Sequence, residues 1–349
     1  MPANKSQHFV PRCYFRAFCS DSKGAAINLF NTTNERSVEA APAKGQCAKP
    51  YFYGRDGILE RALQEPEGKY SEILRRIIND PAAATSVDIY RLHAFMLLQS
   101  YRSAAWIDSQ IRLAEAQRAQ LAEDATPELL ESLVVTHEMA LHLAFHAFNT
   151  SIGNTTHLET RIILNRTTMP FFTSDDPVIH TNRFHLQKDV LGGAGLSSPG
   201  VMLLMPLTPE LLLMSFDPAI YQLKKRLGEI GIVDRVADVA AFNDLQAVRC
   251  HANLYFRDWK DEGLVASTYH STKSRRRATW FSVETLQETA PGSHTFVAIT
   301  GDRVHHPDRK EILHTQCNIP APAAWPLLLT YTDRARRARR GVGPTSLWK

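Results

Sequence analysis

Long apolar runs are missing from this chain of 349 residues: no stretch approaches the roughly eighteen residues that a membrane helix needs, so no spanning segment is expected. Cysteine is sparse. The five present (Cys13, Cys19, Cys47, Cys250 and Cys317) are odd in number and scattered, which argues for reduced thiols rather than a disulfide framework. The first seven residues are polar and lack the apolar segment of a secretory signal. Together these absences lead us to expect a soluble protein of the cytoplasm. No strand–GxGxxG–helix unit and no GxxxxGK[ST] run occurs, which speaks against Rossmann and P-loop nucleotide sites. The zincin motif HExxH is also absent: after His137-Glu138 the second histidine falls at His142, one residue too late. No internal repeat is visible.

What the chain does contain is the ordinary material of a folded core. Hydrophobic residues make up 44% and charged residues 22%, so disorder is not the default. A polar–aromatic segment at 8–20 precedes a strand at 25–31 and a loop at 32–57. Helical periodicity follows at 58–78, in two pieces broken near Pro66 and Gly68, then at 86–122 and 127–149. Ser86 with Asp88 reads as the start of the second of these. From 157 to 215 the pattern changes to strands, at 157–165, 171–180, 201–205 and 211–215, with a turn at Thr208-Pro209. Helix returns at 235–257. The expected fold is α+β, a helical N-terminal half packed on an antiparallel meander sheet. The main domain is 1–257, followed by a less regular extension, 258–349, with a strand near 294–300.

Charge is distributed unevenly. Arg334, Arg336, Arg337, Arg339 and Arg340 exceed by themselves the net charge of +4, so the remainder of the chain is close to neutral. With Lys273 and Arg275, Arg276 and Arg277, this tail could track a phosphate backbone, in a salt-dependent and sequence-independent way. A solvated terminus is the plainer alternative.

Four segments stand out in order along the chain. They are His8-Phe9-Val10-Pro11-Arg12 with Tyr14, Arg16 and Phe18; Leu97-Leu98-Gln99 with Arg102; Phe172 to Val178 leading into Pro206-Leu207-Thr208-Pro209; and Phe242-Asn243-Asp244-Leu245-Gln246. Over about residues 5–257 the chain thereby resembles the domain-of-unknown-function 4238 family, a resemblance that implies no particular activity.

The polar members of these segments sit among apolar neighbours, where they need partners. Either Arg102 or Arg12 pairs with Asp175 in a structural network, or the group converges on a ligand. In the second case His8 is the acid–base group, Asp175 orients it, and Arg12 and Arg102 stabilise charge on a phosphate oxygen. Arg16, Gln99, Ser174 and Asn243 would then position the substrate, and Arg275, Arg276, Arg277, Arg336 and Arg337 would hold nucleic acid. This set suits a nucleic-acid-cleaving hydrolase of toxin or defence type that requires no metal. The alternative is a non-catalytic module binding an anionic small molecule or a nucleic-acid end. Magnesium on Asp175-Asp176 with Glu67 or Glu60 is the metal option, although Ser174-Asp175-Asp176-Pro177 is also a good turn sequence. Glu138, His142 and His146 share a helical line but read as a solvated face.

Overall fold

A computed structural model describes residues 5–123, 125–187, 194–299 and 306–336. Eight α-helices occur among them: α1 (Arg12–Phe15), α2 (Ile58–Ile77), α3 (Ser86–Arg102), α4 (Ala104–Leu121), α5 (Pro127–Ser132), α6 (His137–Asn154), α7 (Val236–Arg249) and α8 (Glu262–Thr272). The fold is α+β. No helix among the described residues is long and apolar enough to cross a membrane.

The central sheet has six strands, ordered Arg226–Leu227, Ile230–Val233, Glu159–Asn165, Leu211–Phe216, Met202–Thr208 and Ile179–Thr181. Its middle is an antiparallel meander, but Ile230–Val233 runs parallel to Glu159–Asn165, so the sheet is mixed. Both faces are covered. On Met202–Thr208, Leu203, Met205 and Leu207 pack with the residues of α2, α3 and α6, while Met202 and Leu204 join Val239, Phe242 and Leu245 of α7 on the other side. Burial on two faces explains why MLLMPLT and LLLMSF are continuously apolar instead of alternating.

Several local expectations are corrected. The region 58–78 is one helix that runs through Pro66, because Leu63 on one side and Tyr70, Ile73, Leu74 and Ile77 on the other all bury into the same core. Tyr70 stacks on Phe95 with ring centroids 4.1 Å apart. The stretch 86–122 is two helices, because Ser103 is extended and its hydroxyl caps α4 by accepting from Trp106 N at 3.2 Å. The cap of α3 is Thr85, in a reciprocal capping box with Asp88. The expected helix 127–149 divides into α5 and α6. The loop 32–57 contains strands Arg36–Pro42 and Ala48–Pro50. The helix expected to reach 257 ends at Arg249.

That last difference matters most. After α7 the chain turns into strand Asn253–Phe256, which is paired on one side with Ala26–Asn31 and on the other with Thr173–Ser174. The four-stranded sheet so formed, completed by Arg36–Pro42, brings the first and third sequence motifs together. Tyr14 buries its hydroxyl there, accepting from Thr173 Oγ1 at 2.6 Å while donating to Pro206 O at 2.7 Å.

Residues beyond 258 are more regular than expected. Helix α8 packs on α7. Strands Phe281–Glu288, Phe296–Ala298 and Glu311–Cys317 form an antiparallel sheet that leans on α4, with Gln117 Nε2 donating to Thr315 Oγ1 and Gln120 Nε2 to Val283 O, each at 3.3 Å. Leu329–Tyr331 pairs with Tyr221–Leu223.

Candidate anion-binding cleft

The polar face of α7 positions the site. Asn243 accepts from Phe172 N at 3.2 Å and donates to Pro170 O at 2.9 Å. One turn on, Gln246 donates to Pro177 O at 2.8 Å and accepts from Ser174 Oγ at 2.9 Å. Ser174 Oγ in turn accepts from Asp176 N at 3.2 Å. The segment 170–177 is thus fastened along the helix by side chains three residues apart, the spacing that shares a helical face.

Asp175 completes the fastening. Its carboxylate is 4% exposed and accepts from three successive amides, His251 N at 2.8 Å, Ala252 N at 2.8 Å and Asn253 N at 3.0 Å. Burial pushes its carboxyl above the ordinary value, while the His251 side chain and the amides pull it back. The chain reversal between α7 and the strand Asn253–Phe256 is built around this one side chain.

Asp176 points the other way, toward Arg249, whose Nε lies 3.1 Å from Asp176 Oδ2. It is 2% exposed, and Oδ2 accepts no aligned hydrogen bond even with the guanidinium so close. The Arg249 guanidinium carbon stands 5.5 Å from the centroid of the Trp280 ring. Asp176, Arg249, Cys250 and His251 form one wall of a cleft of about 370 Å³; Ser109 and Arg112 of α4 and the segment 276–281 form the others. Four arginines, Arg112, Arg249, Arg276 and Arg277, line it with a single carboxylate.

These arginines are not equivalent. Arg276 lies over the end of α7, giving Nη2 to Cys250 O and Nη1 to Cys250 Sγ, both at 2.8 Å, and further bonding Ala247 O; it neutralises the negative end of the helix. Arg112 is exposed and gives Nη1 to Ala278 O at 3.3 Å, and Arg277 is exposed as well. His251 Nε2 stands 3.8 Å from Asp108 Oδ2. Burial pushes the Cys250 thiol up to about 12, so it is protonated at neutral pH and is no nucleophile.

The residues singled out from sequence are distributed differently from expectation. Arg102 is 1% exposed and pairs with Glu67 at 2.8 Å, not with Asp175, and its Nε donates to Gln99 Oε1 at 2.9 Å. Gln99 donates onward to Phe9 O at 3.0 Å, which pins the N-terminal arm. His8 is half-buried with Nε2 3.1 Å from Lys44 O, and burial lowers its pKa. The expected His8–Asp175 contact does not form, because both oxygens of Asp175 are occupied by backbone amides. Arg12 and Arg16 are exposed. None of His8, Arg12, Arg102 and Asp175 lines the cleft, whereas Arg276 and Arg277 do. Arg275 is held by Asp244 at 2.8 Å and Ala321 O at 2.9 Å. Arg336 bonds Tyr331 O at 3.1 Å, and Arg337 lies outside the described residues.

Glu138, His142 and His146 are exposed, Glu67 is engaged by Arg102, and no group of three potential metal ligands occurs among the described residues. Sequence reasoning missed Arg112, Arg249, His251 and Trp280. The available signal was Trp280, three residues after Arg277: an aromatic beside a basic run.

A family model described as "Protein of unknown function (DUF4238)" matches residues 6–260, well over half of the chain. No curated protein and no solved structure matches.

Proposed function

The chain belongs to the DUF4238 family, and we propose that it binds the phosphate of a nucleic-acid end in the arginine-lined cleft. The observation that supports this reading is the convergence of Arg112, Arg249, Arg276 and Arg277 on one concave space that holds a single carboxylate. Asp176 is already matched to Arg249, and Arg276 is matched to the end of α7. The exposed guanidiniums of Arg112 and Arg277 are therefore the ones left for an incoming anion. A volume of about 370 Å³ falls within the range of small-ligand sites and suits a terminal nucleotide rather than a duplex.

The test is binding of a 5′-phosphorylated single-stranded oligonucleotide to the full chain, measured by fluorescence anisotropy across a salt series. Affinity falls with salt, and Arg112→Ala or Arg277→Ala each weakens it by roughly 3- to 10-fold with an unchanged melting temperature. Equal losses on replacing Arg12, which lies away from the cleft, would sink the reading.

A second reading, cleavage of the bound phosphodiester, is favoured by His251 and Asp108. In it the His251 imidazole takes the proton of an attacking water, through the ring nitrogen other than the one facing Asp108, as the new P–O bond forms. The bond to the leaving oxygen breaks, arginine N–H donors stabilise that oxygen, and solvent protonates it. Asp108, 3.8 Å away, steadies the imidazolium. Product formation that persists in EDTA and disappears in His251→Ala supports hydrolysis. Binding without product in both proteins leaves a binding module.

A further inference from the structure

We infer that the cleft selects a nucleoside phosphate, with the base laid against Trp280 and a hydrogen-bond donor of the nucleoside given to Asp176. We also infer that this selectivity resides in the segment following the family domain. The inference rests on the phosphate-binding reading above and concerns what accompanies the phosphate.

Asp176 supplies the first argument. Asp176 is only 2% exposed and is the single carboxylate lining a cleft rich in donors; Oδ2 is buried against Arg249 Nε at 3.1 Å, which leaves Oδ1 as the acceptor on the cleft side. Buried polar atoms in folded proteins are nearly always satisfied, so such an acceptor in a cleft wall marks a place for a ligand donor. A bare phosphate at neutral pH offers mostly acceptors and adds like charge beside Asp176. The fitting ligand therefore carries an amino, imino or hydroxyl donor a short way from its anion, as a nucleotide does.

Trp280 supplies the second. It is the one tryptophan in the cleft wall, and its ring sits beside the Arg249 guanidinium, the side chain that also faces Asp176. An aromatic ring in a positively charged groove is the usual platform for an unpaired base.

The cleft wall is drawn from two parts of the chain. The family match ends at residue 260, so Asp176, Arg249 and His251 lie inside it while Arg276, Arg277 and Trp280 lie beyond. The outer segment is docked against the family part, with Arg276 bonded to the α7 carbonyls and Arg112 to Ala278 O. The platform is therefore in place before any ligand arrives, and the family part alone would keep the carboxylate and lose the ring.

The experiment is isothermal titration of the full chain with AMP, CMP, ribose 5-phosphate and inorganic phosphate as probes. The nucleotides should bind roughly 5- to 100-fold more tightly than ribose 5-phosphate, the range expected for one base stacked on an aromatic ring. Trp280→Ala should remove that margin and leave the ribose 5-phosphate affinity within about twofold, whereas Trp280→Phe keeps part of it and guards against misfolding of the alanine variant. Asp176→Asn should weaken the nucleotides by roughly 10-fold while leaving inorganic phosphate unchanged or tighter. Ribose 5-phosphate binding as tightly as AMP, or Trp280→Ala weakening every probe equally, overturns the inference while the phosphate reading stands. Failure of every probe, and of the phosphorylated oligonucleotide, removes both.

Discussion

Replacing Asp175 by alanine tests whether the most prominent carboxylate of the sequence motifs is a brace or a reacting group. The side chain, itself buried, holds three amides of residues 251–253 at 2.8–3.0 Å in a turn where His251 is exposed and Ala252 and Asn253 are half-buried. Each donor left without a partner costs about 1–3 kcal/mol when buried, and less where water can reach it. Against this, the variant no longer bears the desolvation that raises the Asp175 carboxyl in the folded protein. The balance is a loss of about 3 kcal/mol, which for a chain of this length lowers the melting temperature by about 4 °C. Asp175→Asn keeps one acceptor oxygen but turns an amide donor toward the backbone N–H groups, so it should recover little. The assay is thermal and urea denaturation at pH 7, alongside oligonucleotide binding by each variant. A melting temperature within about 1 °C of the parent, with binding or cleavage abolished, would refute the brace and restore Asp175 as a functional group.

Two further perturbations probe the interior. His93 is buried against Ser215, Thr160 and Thr155, and burial lowers its pKa to about 4 from an ordinary 6.5. The unfolded chain binds the proton first, so stability present above pH 6.5 declines as pH falls toward 4, by up to about 3 kcal/mol. His93→Gln should flatten the urea midpoint over that window, and an identical pH profile would contradict the assignment. Glu67→Ala leaves the Arg102 guanidinium buried and unpaired, an expected loss of about 3 kcal/mol, and Arg102→Met added to it should restore part of the loss. Additive losses in the double variant would mean that the pair is not coupled.

Much of the fold could be read locally because its signals are local. The strands 26–31, 202–208 and 211–216 announce themselves by apolar runs bounded by turn residues, and the switch from helical to extended patterning after Gly153 is where α6 gives way to the sheet. Pro66 and Ser103 misled in opposite directions. A proline costs a helix about 3 kcal/mol, yet the shared burial of Leu63, Tyr70 and Ile73 outweighs it. Ser103 breaks an apolar-periodic stretch by taking a capping conformation that periodicity does not register. The candidate site was legible only in part: Arg276 and Arg277 were visible as a basic run, but Arg112, more than 160 positions earlier in the chain, could not be joined to them without the fold.

The family membership, the α+β class and the short list of polar residues needing partners were settled by the sequence alone, since each depends on residue type and near-neighbour spacing. Which partners those residues found was decided only by tertiary structure. Asp175 and Asp176 are adjacent in the chain, yet the bend that follows strand Thr173–Ser174 sends one into a backbone turn and the other toward Arg249 and a cleft. Hydrogen-bond satisfaction is a property of three-dimensional surroundings, and two neighbouring carboxylates can carry opposite roles for that reason alone.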